Sequence, residues 1–530
     1  MNYGRKEIFT DVVDIDENNI IEILQKAMPE FMQNASDCGY LLNYEAGDQK
    51  ISRKKKYRPE IDCICNDNIA NEVTEFKLAF NWGNPITLVQ RGENDSGTDK
   101  EVEGISLLNE CYEAQNIKSK TQQLARFIEI CGIGYTYVDI NMDWVDGDSY
   151  FTVDVVDPRF AFVIKSSYYI DHRPMISVTF RIDEQGNFHF TCFTRKYRFE
   201  LLNMAKFESG KPVRESKRDW KNSERWKEGN KNGEKNPLGI IPVIEWVRSH
   251  DRMGCFERQM SEMDNLNLLI SDFINDVDQN TQAVWHGNDI EFPEDEDGNV
   301  KTPETNDWIL TQTTKDGAQP FVKPLSVEYD YEGMLNMISY RVARIKEKCF
   351  VPSRNNDNSG STGVAMDGAT GYTAAESDAN KQQGIIEGCK MMEVRAVLAA
   401  IKKSPYVKPD NPLLKLRYSD MKPSIKRMKN YELSVKTTAL ANLINSGIYG
   451  LHAINTINLF DDNAQVWADS KELIEKHQSA LFDKKEEQGK QTPDVQSTDG
   501  GYEAQIQNSP LIDGMSKEEP KKADQESTDD

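Results

Sequence analysis

Two long stretches of three-and-four spacing, parted by a segment rich in helix breakers, constrain this chain more than anything else in it. From Phe256 the residues Phe256, Met260, Met263, Leu266, Ile270, Phe273 and Val277 recur at steps of three or four. On a helix that spacing makes one narrow apolar seam, with Asp264, Asp272, Asp276 and Asp278 elsewhere on the circumference. The spacing returns from about Tyr329 to Lys348, in Tyr331, Leu335, Ile338, Val342, Ile345 and Cys349. Pro352 ends that second helix, because proline opposes helical geometry in the residue before it. Between the two, Trp285 to Leu325 holds Pro293, Gly298, Pro303, Gly317 and Pro320, with short extended runs such as Trp308 to Leu310. It is predicted to be a small β-containing module set between helices that need neighbours to cover their seams.

The residues ahead of this pair change period once. Helical spacing occupies Ile20 to Met32, Ile69 to Phe80 and Ile105 to Ile130. From Gly134 it gives way to alternation or β-branched and aromatic runs in Tyr135 to Ile140, Tyr150 to Val156, Phe160 to Ile164, Met175 to Ile182, Phe188 to Phe193 and Tyr197 to Leu202. A mainly antiparallel sheet beside helices follows, so the fold class is α+β rather than doubly wound. Lys206 to Lys235, rich in Lys and Arg and holding Trp220 and Trp226, is expected to be a long exposed insertion. The alternative is a nucleic-acid patch with stacking tryptophans. Asn236 to Trp246 then forms a turn and an apolar strand.

Beyond the second long helix, Asn355 to Gly363 is a polar connector without an apolar anchor. Helical character resumes from Ala374 to Lys402, strand character from Leu413 to Tyr418, and shorter helices fill Tyr431 to His477. Past Lys484 the chain is polar with more acids than bases, and is expected to be disordered. A chain of 530 residues exceeds the needs of one core, so two or more packed regions are expected. No fixed-period repeat is visible.

Catalytic and metal signatures are missing. Neither GxxxxGK followed by Ser or Thr, nor HExxH, nor GxSxG occurs, and Gly132-Ile133-Gly134 stands before a strand as a tight helix-to-strand turn. Nine scattered cysteines, of which only Cys63 and Cys65 lie close, and six dispersed histidines support neither a zinc site nor a disulfide framework. Acidic clusters at Asp461-Asp462, Asp276 with Asp278, and Glu294 to Asp297 read as solvated surface sooner than as cation ligands. No catalytic residue, metal or cofactor is therefore assigned. The 64 basic and 87 acidic residues leave a net charge of -23. That sign is wrong for gripping nucleic acid over the whole surface, yet it suits both simple solubility and a wall past which phosphates slide. No apolar run approaches the roughly 20 residues that cross a bilayer, and the first residues, MNYGRKEIFTDVVDIDE, lack a secretion signal's apolar core. A cytoplasmic origin without membrane contact is expected.

The order of these elements resembles the portal proteins of tailed double-stranded DNA bacteriophages, of the siphophage type, from about Tyr57 to His477. Its most specific part is Asn236 to Gln279, where NPLGIIPVIEW passes into a helix containing ISDFINDVDQN. Arg58 with Asn66 and Asn68 ahead of a helix, Trp82-Gly83-Asn84-Pro85, Ser359-Gly360, and Leu443 to Ile448 add to the likeness. The basic insertion and the glycine-rich stretch from Gly360 to Gly371 depart from it. The resemblance implies a portal-like multidomain subunit: a wing over residues 1–255 and, as a helix and returning strand, 363–430; stem helices over 256–283 and 327–350; a clip over 284–326; a tunnel loop over 351–362; a crown over 431–480; and an acidic tail over 481–530. It implies a dodecameric ring at one capsid vertex, through which DNA is packaged and ejected. The partners so implied are double-stranded DNA, the terminase large subunit, a head-completion adaptor, and the major capsid and scaffolding proteins, in the host cytoplasm during assembly and then in the virion. On this likeness Arg354, Asn355, Asn356, Asp357, Asn358 and Ser359 face the DNA, and Met263, Ile270, Phe273, Leu335 and Ile338 pack the ring. Two other classes stay open: a DNA-processing enzyme using carboxylate-bound metal, and a helical scaffold or adaptor that never meets DNA.

Overall fold

The computed structural model describes residues 4–51, 61–91, 103–204, 207–208, 211–212, 226–228, 233–281, 285–288, 321–324, 330–352, 372–425, 427, 433–448 and 450–457, with a few more between 470 and 479. They fall into two units, Met1–Asn430 and Tyr431–Asp530.

In the first unit, α1 (Ile20–Glu45) turns Ile20, Leu24, Phe31, Cys38 and Leu41 inward at helical spacing. It runs well past the Met32 expected from apolar spacing, with Pro29 inside it. Ahead of it β1 (Ile8–Thr10) pairs in parallel with β5 (Ala161–Ser166). Buried Asn34 of α1 pins this arm, accepting from Lys6 N at 2.9 Å and donating to Lys6 O at 2.8 Å. Then come α2 (Ile69–Trp82) and β2 (Thr87–Gln90). The single helix expected over Ile105 to Ile130 is two, α3 (Glu103–Glu113) and α4 (Ile117–Cys131). Asn116 between them takes left-handed backbone angles, which asparagine tolerates better than most residues. Gly132 ends α4 at φ +75° in the expected tight turn, and a Cβ there would stand 2.4 Å from the Arg252 carbonyl oxygen.

The strand segments form as expected but divide between sheets. Strand β3 (Ile133–Ile140) lies between β4 (Phe151–Val156) and β13 (Val243–Val247), all antiparallel. The larger, seven-stranded sheet runs β1, β5, β6 (Pro174–Ile182), β7 (Phe188–Phe193), β8 (Tyr197–Asn203), β11 (Trp226–Glu228), with β12 (Glu234–Lys235) also on β8. The short β9 (Phe207–Glu208) and β10 (Lys211–Pro212) pair with each other. The stretch Lys206 to Lys235 is thus not simply an exposed insertion. Trp226 is buried against Phe190 in the core of that sheet, so it is no stacking platform for a base, while Trp220 lies outside the described residues.

Helix α5 (Met260–Thr281), entered through a 3-10 turn at Glu257–Gln259, and helix α6 (Tyr331–Lys348) frame β14 (Trp285–Asn288) and β15 (Phe321–Pro324), an antiparallel pair. The rest of the segment between them, with Glu294 to Asp297, lies outside the described residues. Helix α7 (Tyr372–Lys403) follows. The strand expected over Leu413 to Tyr418 is two 3-10 turns instead, because Asn411 caps Leu413 N and Pro412 presets a helical φ; the strand, β16 (Met421–Ser424), comes next and pairs with β2.

Among the described residues, three large apolar cores hold this unit, with a small fourth of Phe80, Ala375 and Ala379. Ile20, Leu24 and Phe31 of α1 cover the seven-stranded sheet at Phe162, Val178 and Phe199. Leu41 and Tyr44 at the other end of α1 join Ile133, Val243, Met263 and Ile345. Leu124, Phe151, Trp246, Val394 and Leu413 form the third. In the second unit α8 (Leu433–Asn445) and α9 (Gly450–Ile457) meet across the turn at Ser446–Gly447, with Ala453 and Ile454 buried.

Candidate functional site

The approach to α5 is held together by paired charges. Glu245 on β13 accepts from Arg252 at 2.6 Å and from Lys165 at 3.0 Å, while Glu7 reaches Lys165 as well and Arg252 at 3.6 Å. Burial pushes the Glu245 carboxyl up, but the Arg252 and Lys165 cations outweigh it and hold it down at about 2. Glu257 completes the approach by pairing with Arg5 and accepting from Gly254 N at 2.9 Å. The amino-terminal arm is thereby fastened to the residues that launch the helix.

A second charge cluster joins α2, α4, β13 and α7. Glu129, fully buried, accepts from Trp82 Nε1 at 3.0 Å and Arg248 Nε at 2.8 Å. Asp378 of α7 takes Lys77 at 2.8 Å and Arg248 at 3.5 Å. Burial works against the Arg248 charge, and Glu129 foremost, with a smaller contribution from Asp378, overcomes it.

Helix α5 carries a feature its apolar spacing hides. Asn267, Ser271 and Asn275 stand four apart and are almost wholly buried. They hold the extended segment Ile61 to Asp67 through alternate residues: Asn275 Oδ1 accepts from Cys63 N and its Nδ2 donates to Cys63 O, both at 2.8 Å; Ser271 Oγ accepts from Cys65 N at 3.0 Å; Asn267 Oδ1 accepts from Asp67 N at 3.1 Å. The register works because four helical residues rise about 6 Å and two extended ones about 6.6 Å. Near the start of α5, Tyr44 donates to Asp264 Oδ1 at 2.8 Å, and burial first, then this bond to a carboxylate, raises the phenol pKa far above its ordinary value.

The five seam residues sort themselves differently. Met263 is buried in the second core, and Ile270 and Ile338 pack half-buried against it. Phe273 meets Tyr331 edge-on at 6.0 Å. Leu335 stands apart, 53% exposed, with Met337 and Tyr340, the last at 68%. Lys346 anchors the end of α6 on Glu72 at 2.9 Å. Thus α5 and α6 pack together and onto the body through part of each seam, and α6 leaves apolar side chains uncovered. Arg354, Asn355, Asn356, Asp357, Asn358 and Ser359 lie outside the described residues, as do Asp461 and Asp462.

Apolar spacing could not find the polar ladder on α5, although Asn267, Ser271 and Asn275 at intervals of four are a signal of their own. Among the described residues, no three His, Cys, Asp or Glu side chains are grouped to hold a metal ion. No helix among them is long and apolar enough to cross a membrane. A family model described as "Phage portal protein, SPP1 Gp6-like" matches residues 39–428. No curated protein matches the chain.

Proposed function

The chain belongs to the phage portal protein family, SPP1 Gp6-like, and from that premise we propose that copies of it close a dodecameric ring around the channel by which double-stranded DNA enters and leaves the capsid. Membership brings a structural rather than catalytic protein, an oligomeric ring with capsid and DNA as partners, and a place at the virion's portal vertex. The match over residues 39–428 is the observation that carries this reading, since it spans the body, both long helices and α7.

In this reading 1–255 and 363–430 form the wing, 256–283 and 327–350 the stem, 284–326 the clip, 351–362 the tunnel loop and 431–480 the crown, with 481–530 an acidic tail. Uncovered Leu335, Met337 and Tyr340 on α6 support a stem that finishes its packing against neighbouring copies, a head-to-tail contact that closes on itself by rotation. The clip meets the terminase large subunit during packaging and a head-completion adaptor afterwards, and the wing meets capsid and scaffolding proteins, during assembly in the host cytoplasm. Arg354 is the one base between Asn355 and Ser359 on one side and Val351 on the other, and a single arginine per subunit attracts phosphate weakly enough for DNA to slide. The net charge of -23 suits the same passage.

Negative-stain images of the purified chain test the proposal. Rings with a central hole are expected, whereas a compact monomer that cleaves DNA in the presence of a divalent metal would replace the portal reading with the carboxylate enzyme.

A further inference from the structure

We propose that Cys63 and Cys65 form a two-thiolate binding site for a soft monovalent cation with the chemistry of Cu(I), built on the outside of α5 by the Ser271 and Asn275 ladder. The two sulfurs stand 3.8 Å apart and both residues are half-buried, so the pair is reachable from solvent. Cys38, Cys111, Cys131, Cys192, Cys349 and Cys389 are buried as small core side chains. What separates Cys63 and Cys65 from a chance neighbour pair is the backbone beneath them: Cys63 N and O are both held by Asn275, and Cys65 N by Ser271. Residues two apart in an extended chain face the same side, and this chain cannot twist them apart without breaking those bonds.

The spacing selects among outcomes. Metal–thiolate bonds of about 2.3 Å subtend 3.8 Å at an angle of about 110°, and a linear pair needs the sulfurs to part by only about 0.8 Å, within reach of side-chain rotation. A disulfide needs the opposite movement, to about 2.05 Å, across an extended backbone whose alternate Cα atoms lie about 6.6 Å apart, near the upper limit for such a bond. Soft thiolates favour soft ions, and no third His, Cys, Asp or Glu joins the pair among the described residues, so an ion satisfied by two ligands fits and zinc, which seeks four, does not. Burial, and then the neighbouring Cys63 thiol, raise the Cys65 pKa. Binding therefore exchanges one Cu(I) for two thiol protons released to water, leaves the site with one net negative charge, and moves no electron. The inference stands on this geometry and is independent of the portal reading.

Titrating the full-length reduced protein anaerobically with Cu(I) against the chromophoric chelator bathocuproine disulfonate tests it. One Cu(I) per chain is expected to be withheld from the chelator, with Cys63→Ser and Cys65→Ser each weakening binding about 100-fold, and Asn275→Ala, which frees the backbone, about tenfold. Failure of the native chain to compete, or full retention in the Cys63→Ser, Cys65→Ser double variant, overturns the site. Should the variants melt early, phenylarsine oxide supplies a reading on the native chain, since trivalent arsenic bridges adjacent thiols. One adduct mapped by mass to the segment holding Cys63 and Cys65 sustains the proposal, and an adduct elsewhere or none defeats it.

Discussion

Glu245 shows how much one side chain decides in this molecule. Its side chain, 10% exposed on β13, has Arg252 at 2.6 Å, Lys165 at 3.0 Å and the Tyr135 hydroxyl at 3.2 Å, and the two cations hold its pKa at about 2 against an ordinary 4.5. A carboxyl whose folded pKa is depressed stabilises the fold above its unfolded value and loses that contribution as pH falls through the folded one. The contribution is therefore complete above about pH 4.5 and gone near pH 2. Glu245→Gln removes it and strands Arg252, itself buried, so chemical denaturation at pH 7 should show a loss on the order of 3 kcal/mol. The gap between variant and native protein should narrow as pH approaches 2. An unchanged midpoint at pH 7 would mean that Lys165 and Arg252 are satisfied without it.

At the scale of elements, the joint between α5 and the segment Ile61 to Asp67 is polar where an apolar contact would be usual. A hydrogen bond contributes about 1 kcal/mol net, but removing one partner leaves a buried backbone group unpaired at about 1–3 kcal/mol. Ser271→Ala should cost the lower end of that range, because Cys65 N loses its acceptor while Cys65 O loses only a long 3.4 Å contact, and Asn275→Ala the upper end, because Cys63 loses partners for both N and O at 2.8 Å. Hydrogen exchange checks this locally. The Cys63 amide should lose protection in Asn275→Ala while the Asp67 amide, held by Asn267, keeps its own. Equal loss at both positions would show that the segment docks as one block rather than rung by rung.

For the whole molecule, the decisive property is what the subunit leaves uncovered. Changing Met263, which is buried, would damage the subunit and the ring together, and Phe273, already against Tyr331 within one chain, is nearly as ambiguous. Leu335 and Tyr340 separate the two effects because they are exposed in the single chain. Leu335→Asp with Tyr340→Asp should reduce ring mass in light scattering to that of single subunits or small fragments, since a buried unpaired charge costs several kcal/mol per contact. The melting temperature of the released subunit should stay within about 2 °C of a native chain held monomeric by dilution, as surface substitutions are usually near-neutral. Rings of unchanged mass would remove α6 from the subunit interface.

Local patterns sufficed wherever the force at work is local. Spacing of three and four revealed α1, α2, α5 and α6, and alternation revealed β3 to β8, because burying one face imposes its period on consecutive residues. From these came the α+β class, and the order of elements led to the portal family. Local patterns said nothing of which surfaces would meet. The strands divide into two sheets because β13, about 100 residues after β3, pairs with it, and β1 joins β5 from the far amino terminus. Trp226 reads as exposed in its basic surroundings but becomes core once β11 adds to β8. The polar ladder joins positions 200 or more apart, and Glu245 draws on Lys165 and Arg252 from separate parts of the chain. Hydrogen bonds and ion pairs of this kind leave no period in a sequence, since each is specified by two positions that only the folded backbone brings within 3 Å. The sequence by itself determined most of the elements and the family, and tertiary structure alone decided which polar groups hold those elements together and which apolar side chains stay exposed.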